Sequence, residues 1–182
     1  MTNSFRCALY YFRTREFGST VLLLMVLALL TGVWIHLGSI DIFSAEIHIQ
    51  PALIAIIVIG VHAEGPCQVF EHVTSARIAA LRLAHRGGLL LLASAVLLIA
   101  SPDLTLVRNT LGFGGIFLLF VPFVEPSAAL MPSLTLGLSG MLASPTASWN
   151  WAAAPITDGT ADSIAAATCG LGLLLYTWVK RP

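Results

Sequence analysis

The chain has 182 residues and no formal net charge; 57% of its residues are apolar and only 10% are charged. Soluble domains carry about 25% charged residues, so this composition excludes an ordinary soluble domain and indicates a membrane protein. Without a basic excess, or basic clusters interleaved with aromatic residues, the chain is not expected to bind nucleic acid.

The first predicted element is an amphipathic helix over residues 3–17. Phe5, Leu9 and Phe12 recur at helical spacing with arginines beside them, which is typical of a helix lying in the headgroup layer. The alternative is a short tail whose arginines hold the first span in place. The apolar run that follows is longer than that of a signal peptide and lacks a small-residue cleavage site, so we expect it to be retained.

Six apolar segments are predicted to cross the membrane, since about 20 helical residues span a ~30 Å hydrocarbon core. Their predicted bounds are 19–37, 47–63, 83–100, 106–124, 128–142 and 161–179. Eight of the nine Lys and Arg residues precede the first span, lie between the second span and the first turn of the third, or follow the sixth; Arg86 is counted with the second group, and Arg108 falls on the other side. This bias predicts a plasma-membrane protein with both termini in the cytoplasm. The predicted fold class is all-α, with residues 1–182 forming one polytopic transmembrane domain.

The connection between the second and third spans holds the largest group of ionisable residues. Its sequence VTSARIAALRLAHR contains neither glycine nor proline, which favours a helix that runs into the third span. We predict that the loop over residues 64–82 binds a soluble partner, and that four side chains make the contact: Glu71, Thr74, Arg77 and Arg82. The alternative is an ordinary connector whose arginines serve only the positive-inside bias.

The same connection contains side chains of the types that ligate zinc, and the candidates are His62, Cys67 and His72. The sequence HAE followed by PC matches part of the zinc deaminase signature, but Phe70 stands where that signature has its second cysteine. Polar residues also gather in any cytoplasmic loop, so we predict no metal site. The sequence has no nucleophile elbow, Walker motif or catalytic His/Asp spacing, and we predict that the chain is not an enzyme.

Small residues interrupt the later spans. The fourth span has a patch that permits close helix packing, formed by Gly112, Gly114 and Gly115. Pro132, Gly137 and Gly140 in the fifth span predict a helix packed among protein neighbours rather than facing lipid. We assign these three residues to the path of a cargo.

The polar segment over residues 144–160 is bounded by prolines and carries Trp149 and Trp151. Tryptophans at the end of a span are typical of an interfacial belt, which places this segment at the outer surface. The same composition also fits a loop that dips back into the outer leaflet.

Together these elements resemble the permease subunits of ATP-binding-cassette exporters of the second class. The likeness covers nearly the whole chain and includes three motifs: FEHVTSARIAALRLAH before the third span, RNTLGFGGIFLL in the fourth and WNWAAAPITDG before the sixth. These motifs also look like those of small permease-like proteins of actinobacterial type. The resemblance implies that residues 3–17 form an elbow helix, residues 64–82 a coupling loop and residues 144–160 a re-entrant segment.

The resemblance further implies a membrane subunit that moves a hydrophobic or peptide-like cargo. It would work as a homodimer or with a second permease subunit in the lipid bilayer, and a separate ATPase subunit would energise it. ATP and magnesium would then bind to that partner, with no cofactor in this chain. An alternative from a different class is a non-transporting scaffold, or a membrane-embedded subunit of an enzyme complex, that recruits a soluble partner.

Overall fold

The computed structural model of the protein describes residues 17–37, 46–61, 76–143, 147, 149–155 and 158–179. These residues form six helices and no strand, which confirms the all-α prediction for this part of the chain. The helices are α1 (Phe17–Leu37), α2 (Glu46–Val61), α3 (Ala76–Ala100), α4 (Leu104–Phe120), α5 (Pro126–Leu142) and α6 (Gly159–Trp178). Each coincides with one predicted span. The largest difference is in α3, which begins well before residue 83 because its helix-forming lead-in is continuous with the apolar run.

Only one helix in the described ranges is both long enough and apolar enough to span a membrane by itself, over Leu83–Ala100. Three other apolar stretches are shorter, namely Phe17–Val33, His48–Val61 and Leu104–Phe120. A single helix of this kind also occurs in the cores of soluble proteins. Length and composition therefore leave the six membrane spans as a prediction.

Aspartate caps begin two of the helices. Asp103 Oδ1 accepts a hydrogen bond of 2.7 Å from the backbone N–H of Thr105 at the start of α4. Asp158 does the same before α6, where its Oδ1 accepts from the N–H groups of Thr160 and Ala161 at 2.9 and 3.3 Å. These bonds satisfy backbone donors that a helix leaves without partners in its first turn.

Helix α4 lies in the middle of the bundle, where it contacts α2, α3, α5 and α6. Close approach to α6 depends on Gly115. A Cβ atom on that residue would lie 2.5 Å from the backbone nitrogen of Cys169, and a Cβ atom on Gly172 would meet the carbonyl oxygen of Gly115. The predicted close packing at the glycine patch is confirmed.

Successive helices run in opposite directions. Phe17, which begins α1, lies 5.9 Å from the ring of His85 near the start of α3. Arg86, the next residue, reaches Ile59 near the end of α2 and Tyr176 near the end of α6. We call this end of the bundle the Arg86 end; the opposite end, where α2, α4 and α6 begin, is the Arg108 end.

Apolar side chains cover much of the exterior, while polar side chains occupy positions inside. Leu29, Ile99 and Leu142 are 72%, 85% and 90% exposed. In contrast, Asn109 and Thr110 in the central helix have no exposed surface. This distribution is the reverse of that of a water-soluble bundle, whose outer faces are polar.

Candidate functional site: polar clusters at the two ends of the bundle

At the Arg108 end, residues 149–155 fold against the start of α4, and we call them the Trp segment. Two turns shape it, in which the N–H of Asn150 donates to the carbonyl of Ala147 and the N–H of Ala153 donates to that of Asn150. The side-chain amide of Asn150 also donates a hydrogen bond of 2.9 Å to the carbonyl of Gly140 in the last turn of α5. The Trp segment is thereby joined to the end of the helix that precedes it.

Arg108 binds the backbone of the Trp segment. Its Nη2 donates to the carbonyl oxygens of Ala154 and Ala152 at 2.6 and 3.4 Å, and its Nη1 donates to that of Pro155 at 3.3 Å. The guanidinium also lies 3.7 Å from Asp162, whose side chain is half exposed. The planar guanidinium has several N–H donors, so it can bind several carbonyl oxygens at once. The Arg108 side chain is almost fully buried.

Asn109 extends this polar cluster to α2. Its Nδ2 donates to the carbonyl oxygens of Ala152 and His48 at 3.0 and 3.3 Å. Nearby, His48 Nδ1 lies 3.2 Å from Asp103 Oδ2, which is an ion-pair distance without hydrogen-bond geometry. Asn109 therefore links the start of α2, the central helix and the Trp segment.

Trp151 is buried inside the bundle, so the expectation of an interfacial belt is wrong for this tryptophan. Its ring lies against Gly112, where a Cβ atom would overlap it, and its centroid is 5.2 Å from that of Phe113. Trp149, in contrast, is 49% exposed. Glycine at position 112 leaves room for the Trp151 indole.

At the Arg86 end, the sequence led us to count Arg86 as a charge of the cytoplasmic loop, and this assignment is wrong. Arg86 is completely buried. Its Nη1 donates a hydrogen bond of 3.0 Å to the carbonyl of Ile59, and its Nε donates one of 3.4 Å to the hydroxyl of Tyr176. Its Cζ lies 5.9 Å from the centroid of the Tyr176 ring. Because α3 already begins at Ala76, Arg86 lies well inside the helix and faces α2 and α6.

The structure describes only the backbones of two of the four predicted partner-binding residues. Glu71 and Thr74 are outside the described residues, as are the metal-ligand candidates His62, Cys67 and His72. The backbones of Arg77 and Arg82 belong to the first turns of α3, but their side chains are not described. The predicted interfacial helix also lies outside, apart from Phe17. All of these assignments stay predictions.

The residues assigned to a cargo path lie at helix contacts. A Cβ atom on Gly137 would come within 2.5 Å of Leu53 in α2, and one on Gly140 would lie 2.9 Å from Asn150 Oδ1. Pro132 is partly buried. The expectation that this helix packs among protein neighbours rather than facing lipid holds for one face only, because Met131, Leu138 and Leu142 on the other face are exposed. The cargo path stays a prediction.

Sequence reasoning missed the polar side chains inside the bundle. Arg108 was counted only as a charge on the outer side, and Asn109 and Asn150 were given no role. A usable signal existed for the first two, since charged and amide residues within an apolar helix are functional or structural candidates by default. For Asn150, between two tryptophans in a polar segment, no local signal indicates burial.

Comparisons of the chain with known protein families, with curated proteins and with solved structures found no match. Among the described residues, buried side-chain donors at the two ends of the bundle bind backbone carbonyl oxygens and so link neighbouring helices.

Proposed function

We propose that the protein is an integral membrane protein whose six helices cross the bilayer. The observation that carries this proposal is the distribution of polarity in the folded chain. Leu29, Ile99 and Leu142 project outward, and exposing such a surface to water is unfavourable. At each end of the bundle, polar side chains donate hydrogen bonds to backbone carbonyls. Non-helical backbone at membrane depth requires such partners within the protein. A bilayer accommodates both features.

The Arg86 end is assigned to the cytoplasm. The predicted loop over residues 64–82, which includes the first turns of α3, lies on this side, and Lys180 and Arg181 follow α6. Positive charge near span ends favours the cytoplasmic side. The Arg108 end, with the Trp segment, then faces outward.

Cysteine labelling tests this topology. In a chain without native cysteines, Thr160→Cys at the Arg108 end is expected to react with an impermeant maleimide in intact cells. Ser127→Cys at the Arg86 end is expected to react only after permeabilisation, because the bilayer protects it. Both positions are exposed hydroxyl residues, so they form a matched pair. Equal labelling of the two, or release of the chain from membranes by alkaline carbonate, would contradict the proposal.

We further propose that the chain is the membrane subunit of an ATP-driven exporter, energised by a separate ATPase subunit. The motifs and the order of the elements support this function by their resemblance to exporter permeases of the second class. Movement of residues 64–82 by the ATPase would act directly on α2 and α3, and Arg86 would carry it to α6. Since α4 already packs against four neighbours, a path for a hydrophobic or peptide-like cargo fits better between two permease subunits than through one bundle.

Co-purification tests the exporter function. The full chain is expected to carry with it an ATPase whose hydrolysis falls about tenfold, equivalent to ~1.4 kcal/mol of coupling, in Glu71→Ala or Arg77→Ala. Lys180→Ala, a charge change on the same side, serves as the control and is expected to have little effect. A bound soluble partner without a nucleotide site would contradict export and support the scaffold alternative.

A further inference from the structure

We propose that α6 is a lever that couples the two ends of the bundle, so that release of the polar cluster at one end tightens the cluster at the other. Tyr176, in the last turn of α6, accepts a hydrogen bond of 3.4 Å from Arg86. Asp162, in the first turn, lies 3.7 Å from Arg108. One helix therefore contributes a side chain to each cluster, and a rigid helix that moves at one end must also move at the other.

The close contact between α6 and α4 provides the pivot of this lever. The backbone of Cys169 lies so near Gly115 that a Cβ atom on the glycine would come within 2.5 Å of its nitrogen. Asp162 precedes Cys169 by seven residues and Tyr176 follows it by seven, which is about 10 Å in each direction at 1.5 Å per residue. Backbone atoms in contact cannot turn aside as a flexible side chain can. We therefore expect α6 to rock about this point and not to approach α4 further.

The two polar side chains lie on the same side of α6, because residues seven apart differ by only about 20° around a helix. Rocking about Cys169 that moves Tyr176 away from α3 therefore moves the start of α6 toward α4. The Trp segment is joined to that start, since the N–H of Asp158 donates a hydrogen bond of 3.0 Å to the carbonyl of Pro155, to which Arg108 also donates. Loosening at the Arg86 end is thus expected to press the Trp segment more firmly onto α4.

The coupling is a property of the chain itself, whereas its use in transport rests on the proposed exporter function. The predicted loop over residues 64–82 includes the first turns of α3, the helix that carries Arg86. A movement of this loop that separates Arg86 from Tyr176 would then close the opposite end of the bundle. Work done on one side of the membrane would in this way reach the Trp segment on the other.

Cysteine labelling in lipid nanodiscs, where an impermeant maleimide reaches both ends of the chain, tests the lever. Replacement of the native cysteines keeps the backbone contact that forms the pivot, and Ala154→Cys then reports on the Trp segment. Adding Tyr176→Phe, which removes the hydroxyl that Arg86 binds, is expected to slow labelling about two- to tenfold, as the loss of one such hydrogen bond would. Thr177→Val is the matched control, because that hydroxyl donates within α6 to the carbonyl of Leu173, and it should leave the rate unchanged.

The reverse measurement needs no change at Tyr176, so it tests the lever even if Tyr176→Phe does not fold. Arg108→Leu frees the start of α6 to move outward, which should press the other end toward α3. Labelling of Ile59→Cys, a buried position whose carbonyl still accepts from Arg86, is therefore expected to slow in the Arg108→Leu chain. An unchanged or faster rate in either measurement would overturn the coupling, because independent ends give the first result and general loosening of the bundle gives the second.

These rates do not depend on an ATPase, so the lever and the exporter function fail separately. A chain that shows the coupling but binds no ATPase would contradict the exporter function and support the lever. A chain that binds an ATPase but shows no coupling would overturn the lever alone.

Discussion

Gly115→Ala is expected to destabilise the folded chain by about 2–4 kcal/mol, whereas Gly170→Ala is expected to be neutral or stabilising by up to ~1 kcal/mol. A methyl group at position 115 would lie 2.5 Å from backbone atoms of Thr168 and Cys169, and backbone atoms cannot turn aside as a flexible side chain can. At position 170 the same group would meet nothing within 4 Å. Both changes give the same gain in helix propensity, so their difference isolates the steric contact between α4 and α6.

The measurement is thermal unfolding of both variants in the same detergent, followed by helical circular dichroism. For a chain of this size, the expected loss corresponds to a decrease in Tm of about 4–16 °C for Gly115→Ala. Equal Tm values for the two variants would show that α4 and α6 can move apart without loss of stability. The contact at Gly115 would then not hold the bundle together.

The helices were predictable from the sequence because their signals are local. Apolar runs, the cap at Asp103 and the helix-forming lead-in to α3 each depend on residues close together in the chain. The packing role of the glycine patch was also predictable, since small residues in an apolar helix have few other uses.

The partners of the buried polar residues could not be predicted from the sequence. The positive-inside rule counts charges along the chain, but it does not say which face of a helix carries them. Arg86 was therefore placed in a loop, although one face of α3 directs it toward Ile59 and Tyr176. Trp151 was misplaced for a similar reason, because the notch that holds it is made by Gly112, which is distant in the chain.

Arg108→Leu is expected to release the Trp segment and to destabilise the chain by about 1–3 kcal/mol. The substitution leaves the buried carbonyl of Ala154 without a donor, whereas the carbonyls of Ala152 and Pro155 keep those from Asn109 Nδ2 and the N–H of Asp158. Buried carbonyls without donors are costly, and leucine offers no replacement. Asp162→Asn is the matched test of the ion pair, and we expect it to cost less than about 1 kcal/mol, because that side chain is 54% exposed and the pair is 3.7 Å apart.

Labelling of a buried position in the Trp segment measures this release directly. In a chain without native cysteines, Ala154→Cys is expected to react slowly with an impermeant maleimide, since Ala154 is buried. Adding Arg108→Leu should accelerate labelling about tenfold or more. This is the factor expected if the free energy that keeps the Trp segment folded against α4 falls by ~1.4 kcal/mol. Adding Asp162→Asn should leave the rate nearly unchanged. If Asp162→Asn accelerated labelling as much as Arg108→Leu, the carboxylate and not the backbone carbonyls would hold the guanidinium, and the Trp segment would be fixed mainly by Trp151 and Asn150.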